Sequence, residues 1–176
     1  RMRGSLLGPD LVACSAAISA CEKAGQWQRS VALLSELQAF GPRPDAVAYN
    51  ATVSACAMAA RWGGALGLLG EMRRRGVEAS LVTYNSTLSA YEKGWQWRRA
   101  LGLAAGMQAE ALDPDVITFN SLISACEKGD QWEWACALLA GMRRRRVDPD
   151  VISHSAAISA CEKGHQPRRA LLLLAE

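Results

Sequence analysis

The chain has 176 residues, half of them apolar, with twenty Lys and Arg against seventeen Asp and Glu for a formal net charge of +3. That mild surplus excludes a histone-like polycation, so any contact with a polyanion depends on where the cations lie. No run of eighteen apolar residues exists to span a bilayer, and the opening Arg1-Met2-Arg3 does not read as a secretory signal.

In chain order, residues 1–10 read as the tail of a preceding unit. Helices are predicted near 13–23 and 27–39, and Pro44-Asp45 closes a first unit, 11–45. Helices near 48–58 and 62–75 fill a second, 46–80. A third unit, 81–115, holds helices near 83–93 and 97–110 and ends at Pro114-Asp115. Helices near 118–128 and 132–145 make a fourth, 116–150, ending at Pro149-Asp150. Helices near 153–163 and 167–175 belong to a fifth, 151–176, cut inside its second helix. A chain that starts and stops within a repeat is expected to be part of a longer protein.

The step of 35 carries this division. Val12, Val47, Val82, Ile117 and Ile152 are spaced by it, and so are Trp27, Trp62, Trp97 and Trp132. The run Ile18-Ser19-Ala20-Cys21-Glu22-Lys23 returns at 123–128 and again at 158–163. Within a unit, Tyr84, Leu88 and Tyr91 form an i, i+4, i+7 stripe, as do Phe119, Ile123 and Cys126, so each first helix has one apolar face. Gly25, Gly94, Gly129 or Gly164 follows as a helix stop. Arg runs at 73–75 and 143–146 suit the negative end of the second-helix dipole in solvent. A residue before proline resists helix, which separates one unit from the next.

A single helical hairpin cannot bury both faces, so neighbouring units must stack and share a core. The predicted class is therefore all-α: an α–α superhelix, a right-handed solenoid of helix–turn–helix repeats, with first helices on the concave face. The tryptophans are expected in the core at the start of each second helix, with Trp95 and Trp134 as partly exposed extras. Cys21, Cys56, Cys126 and Cys161 share one apolar place with Tyr91, which marks packing rather than metal ligation. Six Cys in an Ala-rich background suit reduced thiols better than a disulfide framework. Two His, at 154 and 165, without neighbouring ligands make no zinc site, so no metal and no cofactor are expected. No nucleophile–base pair, phosphate-cradling Gly loop or paired carboxylates in a cleft can be picked out, so no enzyme activity is expected.

All four lysines, Lys23, Lys93, Lys128 and Lys163, occupy one place in the repeat, with Met58 as the gap. Stacking predicts a ladder of ammonium groups at the spacing of the repeats, suited to a phosphate backbone. A solvated helix end explains the same lysines, since each follows a Glu.

The uniform step of 35, the opening Val82-Thr83-Tyr84-Asn85, the Glu-Lys-Gly end of the first helix and the Pro-Asp close resemble the pentatricopeptide repeat family, in its plain subclass, over essentially the whole chain. The resemblance implies sequence-specific binding of single-stranded RNA, one base per repeat, in mitochondria or plastids. It implies that the fifth and last residues of each unit read a base, here Ser15 with Asp45, Asn50 with Ser80, Asn85 with Asp115, and Asn120 with Asp150; Ser155 would read a fifth. Val12, Val47, Val82, Ile117 and Ile152 would pack against base faces.

An ionised Asp only accepts hydrogen bonds and so suits the N3–H of uracil or the N1–H of guanine, whereas Ser80 can donate to cytosine. With the family's pattern for pyrimidines and its parallel orientation, the four units spell G-C-U-U from 5′ to 3′. Asp45, Asp115 and Asp150 also stand where Asp caps a helix, and the Asn residues where polar groups face solvent. The alternative to RNA is a helical-repeat scaffold that docks on protein subunits of a larger assembly.

Overall fold

The computed structural model describes residues 10–175, so all of the tail assigned to 1–10 except Asp10 lies outside the described residues. Within them the secondary structure is ten α-helices. They are α1 (Leu11–Lys23), α2 (Trp27–Phe40), α3 (Ala46–Met58), α4 (Trp62–Arg74), α5 (Leu81–Lys93), α6 (Trp97–Ala109), α7 (Val116–Lys128), α8 (Trp132–Arg144), α9 (Val151–Lys163) and α10 (Pro167–Leu174). All ten coincide with predicted helices, but the first helix of every unit begins two residues earlier than expected. The cause is the residue read as a break. Asp10, Asp45, Asp115 and Asp150 each cap a helix that starts at the next residue, and Asp45 accepts from the Ala48 amide at 2.9 Å.

The chain divides into two compact units, residues 1–87 and 88–176. In the first, α1 packs on α2 and α3, and α3 on α2 and α4. Ile18, Leu34, Leu37, Tyr49, Val53, Leu69 and Met72 are fully buried there. In the second, α7 packs on α6, α8 and α9, and α9 on α8 and α10. Its core gathers Phe119, Ile123, Cys126, Ala135, Leu139, Met142, Ala157 and Ala160. The first helices α1 and α3 in one unit and α7 and α9 in the other are therefore each held by helices of their own and adjoining repeats.

The turns repeat as faithfully as the helices. Inside the hairpins the left-handed residue is Gly25, Ala60, Trp95, Asp130 and His165, in register at a step of 35. Of the expected glycine stops only Gly25 holds this conformation; Gly129 and Gly164 precede the turn at φ −89° and −79°. The amides of Gln26, Arg61, Gln96, Gln131 and Gln166 close each turn on the carbonyl five residues back, at 2.8–2.9 Å. After the second helices, Val77, Leu112 and Val147 close a similar turn on Met72, Met107 and Met142. The first repeat cannot do this, because Pro42 stands at that place without an N–H; Gly41 there is extended, at φ −112°.

Candidate nucleic-acid interface

The five residues expected to pack on bases, Val12, Val47, Val82, Ile117 and Ile152, are between 59% and 73% exposed. Each is the second residue of a first helix, and Val47, Val82, Ile117 and Ile152 are each followed by a fully buried residue, Ala48, Thr83, Thr118 or Ser153. An aliphatic side chain at that place gains little from the core, and it faces solvent at Val12, Val47 and Val82 in the first unit and at Ile117 and Ile152 in the second.

The fifth and last residues of the repeats lie within three positions of these residues in the sequence. In the second unit, Asn120 on α7 donates its amide to both carboxylate oxygens of Asp150 at 3.1 Å. Ser153, the third residue of α9, donates its hydroxyl to Asn120 Oδ1 at 2.5 Å, while its backbone N–H caps on Asp150 at 2.8 Å. In the first unit, Thr83 donates to Asn50 Oδ1 at 2.6 Å and accepts from the Ser80 amide at 3.1 Å. Two pairs are thus brought together, each through the hydroxyl of the helix that follows.

Ser15 and Asp45 are not joined in this way. Ala48 stands where Thr83 and Ser153 stand, and the Ser15 hydroxyl is buried without a partner. Asn85 belongs to the first unit and Asp115 to the second, each at the same register on its own helix; Asp115 caps α7 in a reciprocal box with Thr118. Ser155 is exposed on α9. The hydroxyl residues Thr83, Thr118 and Ser153 were not singled out from the sequence. The signal was there: Asp or Ser followed three residues later by Thr or Ser at the start of a helix, as at Ser80/Thr83, Asp115/Thr118 and Asp150/Ser153, is a capping pattern.

Hydrogen bonds keep Asp150 charged. The Ser153 backbone N–H foremost, with the Ser153 hydroxyl and the Asn120 amide, holds its carboxyl below the usual carboxylate range. The carboxylate is therefore an acceptor only, and the Asn120 amide, its oxygen held by the Ser153 hydroxyl, is turned so that its nitrogen faces that carboxylate. Side by side, the two present one acceptor and one donor.

The lysines differ from the expected row of free ammonium groups. Lys128 Nζ lies 2.9 Å from Glu92 Oε1, and Lys163 Nζ 2.9 Å from Glu127 Oε1. Each lysine thus pairs with the glutamate 36 residues earlier, at the end of the preceding first helix, and Glu127 also accepts from Ser159 at 3.0 Å. The residue 36 before Lys93 is Ala57, which has no carboxylate.

The tryptophans likewise leave the expected core: Trp27, Trp62, Trp97 and Trp132 are only partly buried, whereas Trp95 and Trp134 are exposed as expected. Trp97 lies across Gly129 and Trp132 across Gly164, each sealing a repeat onto the next. Where Ala59 replaces that glycine, the Arg61 guanidinium stacks over Trp27 at 4.8 Å. The arginine runs are not uniformly solvated either. Arg73 bonds and stacks on Tyr84, and Arg143 reaches His154, which stands where other repeats carry Tyr or Phe.

Among the described residues no helix is long and apolar enough to cross a membrane, and no three His, Cys, Asp or Glu gather as a metal site. No curated protein matches the sequence. The PPR10 pentatricopeptide repeat protein, solved in complex with an 18-nt psaJ RNA element, is 31% identical, with a TM-score of 0.80 over 94% of this chain. This chain spans 24% of that one. PPR10 from maize in a second structure gives 31% identity and a TM-score of 0.78 over 95% of this chain and 24% of its own. The PPR domain of Arabidopsis thaliana protein-only RNase P 1, solved with tRNA, is 15% identical, with a TM-score of 0.78 over 91% of this chain and 84% of its own, and shares the fold. The helical hairpins described above are thus those of the α–α superhelical repeat proteins. The pentatricopeptide repeat domain pattern matches residues 32–94 and 67–130, the PPR repeat family pattern 114–163, and the PPR repeat pattern 12–42. The chain belongs to the pentatricopeptide repeat family.

Proposed function

We propose that this chain binds single-stranded RNA sequence-specifically, one base per repeat, with no catalysis of its own. The observation that carries the reading is the exposed aliphatic residue of each repeat, with a donor–acceptor pair close to it in sequence, best formed at Asn120 and Asp150. A base laid against Ile117 or Ile152 would meet the Asp150 carboxylate as acceptor for its central N–H, and the Asn120 amide as donor to a carbonyl. That is the edge of uracil.

Asn85 with Asp115 carries the same residues and the same preference. Ser80 beside Asn50 replaces the carboxylate by a hydroxyl, which can donate to the N3 of cytosine. Beside Asp45, the small and buried Ser15 leaves room for a purine, whose N1–H identifies guanine. The core element is then G-C-U-U from 5′ to 3′, with Ser155 taking part in a fifth contact. By its kinship with PPR10, which binds an RNA element, the chain would protect or position an organellar transcript.

The test is a titration of RNA carrying G-C-U-U among A bases, against a scrambled control, at two salt concentrations. Tighter binding of the matched RNA supports the reading. Failure to bind either RNA at low salt, together with tight retention by a protein complex, would replace it with a scaffold role.

A further inference from the structure

Counted from the start of each unit, the twenty-first residue is Val31, Leu66, Leu101, Cys136 and Leu171, and the eleventh is Cys21, Cys56, Tyr91, Cys126 and Cys161. Four units therefore carry an aliphatic chain where the fourth carries a thiol. In the second compact unit these two places meet across the seam between repeats. Cys136 on α8 places its Sγ 3.4 Å from the Sγ of Cys161 on α9. Cys161 is fully buried and Cys136 partly exposed; both are free thiols.

We propose that Cys136 and Cys161 form a reversible disulfide site, oxidised by a low-molecular-weight disulfide such as glutathione disulfide, that staples the fourth repeat onto the fifth. A disulfide needs about 2.05 Å between sulfurs, so the two must close by roughly 1.4 Å, a distance within reach of small side-chain rotations. The residues that precede the two cysteines in the chain, Ala135 and Ala160, are small and fully buried.

The two thiols divide the work. Burial, and Cys136 beside it, push the Cys161 thiol up, with Arg169 opposing weakly. Cys136 is the one a solvent-borne oxidant reaches. The Cys136 thiolate attacks one sulfur of glutathione disulfide, breaking its S–S bond and releasing one glutathione thiolate. The Cys161 sulfur, giving up its proton to solvent, then attacks the Cys136 sulfur of the mixed disulfide and expels the second glutathione. Two protein thiols are oxidised, and one glutathione disulfide is reduced to two thiols. The preceding seam supplies an internal control. There Leu101 packs against the cluster that holds Cys126, whose thiol burial alone pushes up to about 12.

The experiment treats the purified chain with glutathione disulfide and maps its peptides by mass spectrometry without reduction. Expected is a monomer carrying a 136–161 cross-link, two hydrogen atoms lighter, with a melting temperature raised by roughly 10 °C for a closed loop of this length. Glutathione should reverse both changes. Cys136→Leu, the residue other seams carry, should keep the reduced melting temperature and abolish the cross-link and the shift; Cys136→Ser serves equally if Leu misfolds. A glutathione adduct that persists on Cys136, a cross-link to another cysteine, or intermolecular dimers would overturn the proposal. None of these readouts depends on RNA.

Discussion

Asn120 holds both carboxylate oxygens of Asp150 at 3.1 Å across the junction of two repeats. The same Asp150 caps the helix of the next repeat through the Ser153 amide at 2.8 Å. Capping and the proposed reading therefore reside in one side chain rather than competing for it. The cap turns the carboxylate to a fixed direction, and the Ser153 hydroxyl turns the Asn120 amide so that its nitrogen faces Asp150 and the open edge. A side chain held in this way enters a complex with little rotamer entropy left to lose.

Because the roles coincide, removing Asp150 outright would confound them, and Asp150→Asn separates them. Asn caps a helix about as well as Asp, so the melting temperature should stay within about 2 °C. The new amide can donate where the carboxylate could only accept, and preference at the base facing this repeat should move from uracil toward cytosine. A hydrogen-bonding contact of this kind discriminates by about 1–3 kcal/mol, so the change in relative affinity should be about tenfold. Lost helical content with unchanged base preference would show a capping role alone.

Asp150 also sets a pH dependence. Its carboxyl titrates below the unfolded value of about 3.9, so the folded state binds the proton less readily than the unfolded one. The stabilisation is fully present above that value and disappears as pH falls through the depressed folded one. The stability difference between the parent and Asp150→Asn should hold constant from pH 7 to about 5, then shift toward the variant below about 4. Urea melts across this range check it; a difference unchanged down to pH 2 would contradict the network.

The glycines divide by sign. A Cβ on Gly129 would stand 2.2 Å from Cδ1 of Trp97, and one on Gly164 2.2 Å from Cδ1 of Trp132, so a ring packed at a repeat seam has to move. Gly129→Ala should destabilise by about 1–3 kcal/mol, in the range of overpacked sites. Gly102 and Gly106 lie inside α6 with nothing within 4 Å of the added methyl. Ala there should stabilise by up to about 1 kcal/mol through helix propensity. Chemical denaturation of the three single variants distinguishes them, and a common sign would refute the assignment.

These glycines mark where sequence reasoning stopped. The step of 35 located every described helix, and the burial of Leu37, Met72, Met107 and Met142 follows from their shared register. What crosses from one repeat to the next was harder to see. Gly129 resembles a helix stop until Trp97, 32 residues earlier, is found against it. Glu127 and Lys128 read as neighbours on one helix, yet each pairs with a different repeat. Cys136 stands where other repeats carry Val or Leu, and nothing along the sequence shows that it meets Cys161 of the recurring cysteine place. Such contacts depend on how the helices are offset in the stack, which periodicity along the chain does not encode.

The pairing of the lysines leads to a graded salt response, if RNA is the ligand. Lys128 and Lys163 already have a carboxylate at 2.9 Å, and the Glu127 hydrogen bond raises Lys163 above the ordinary lysine range. A phosphate must compete with that carboxylate, so neither lysine releases a full counterion's worth of binding free energy. For Lys93 the residue 36 places earlier is Ala57, so the repeat supplies no glutamate at the corresponding position. Lys93→Gln should therefore lower the slope of log K against log salt by about 0.7, the value for one phosphate contact on a single strand. Lys128→Gln should lower it by less and cost below about 1 kcal/mol of stability, as a solvent-facing ion pair does. Titrations of the G-C-U-U RNA over several salt concentrations measure both slopes. Equal decrements would mean that RNA displaces the glutamates outright, and no decrement at Lys93 would remove the lysines from the interface.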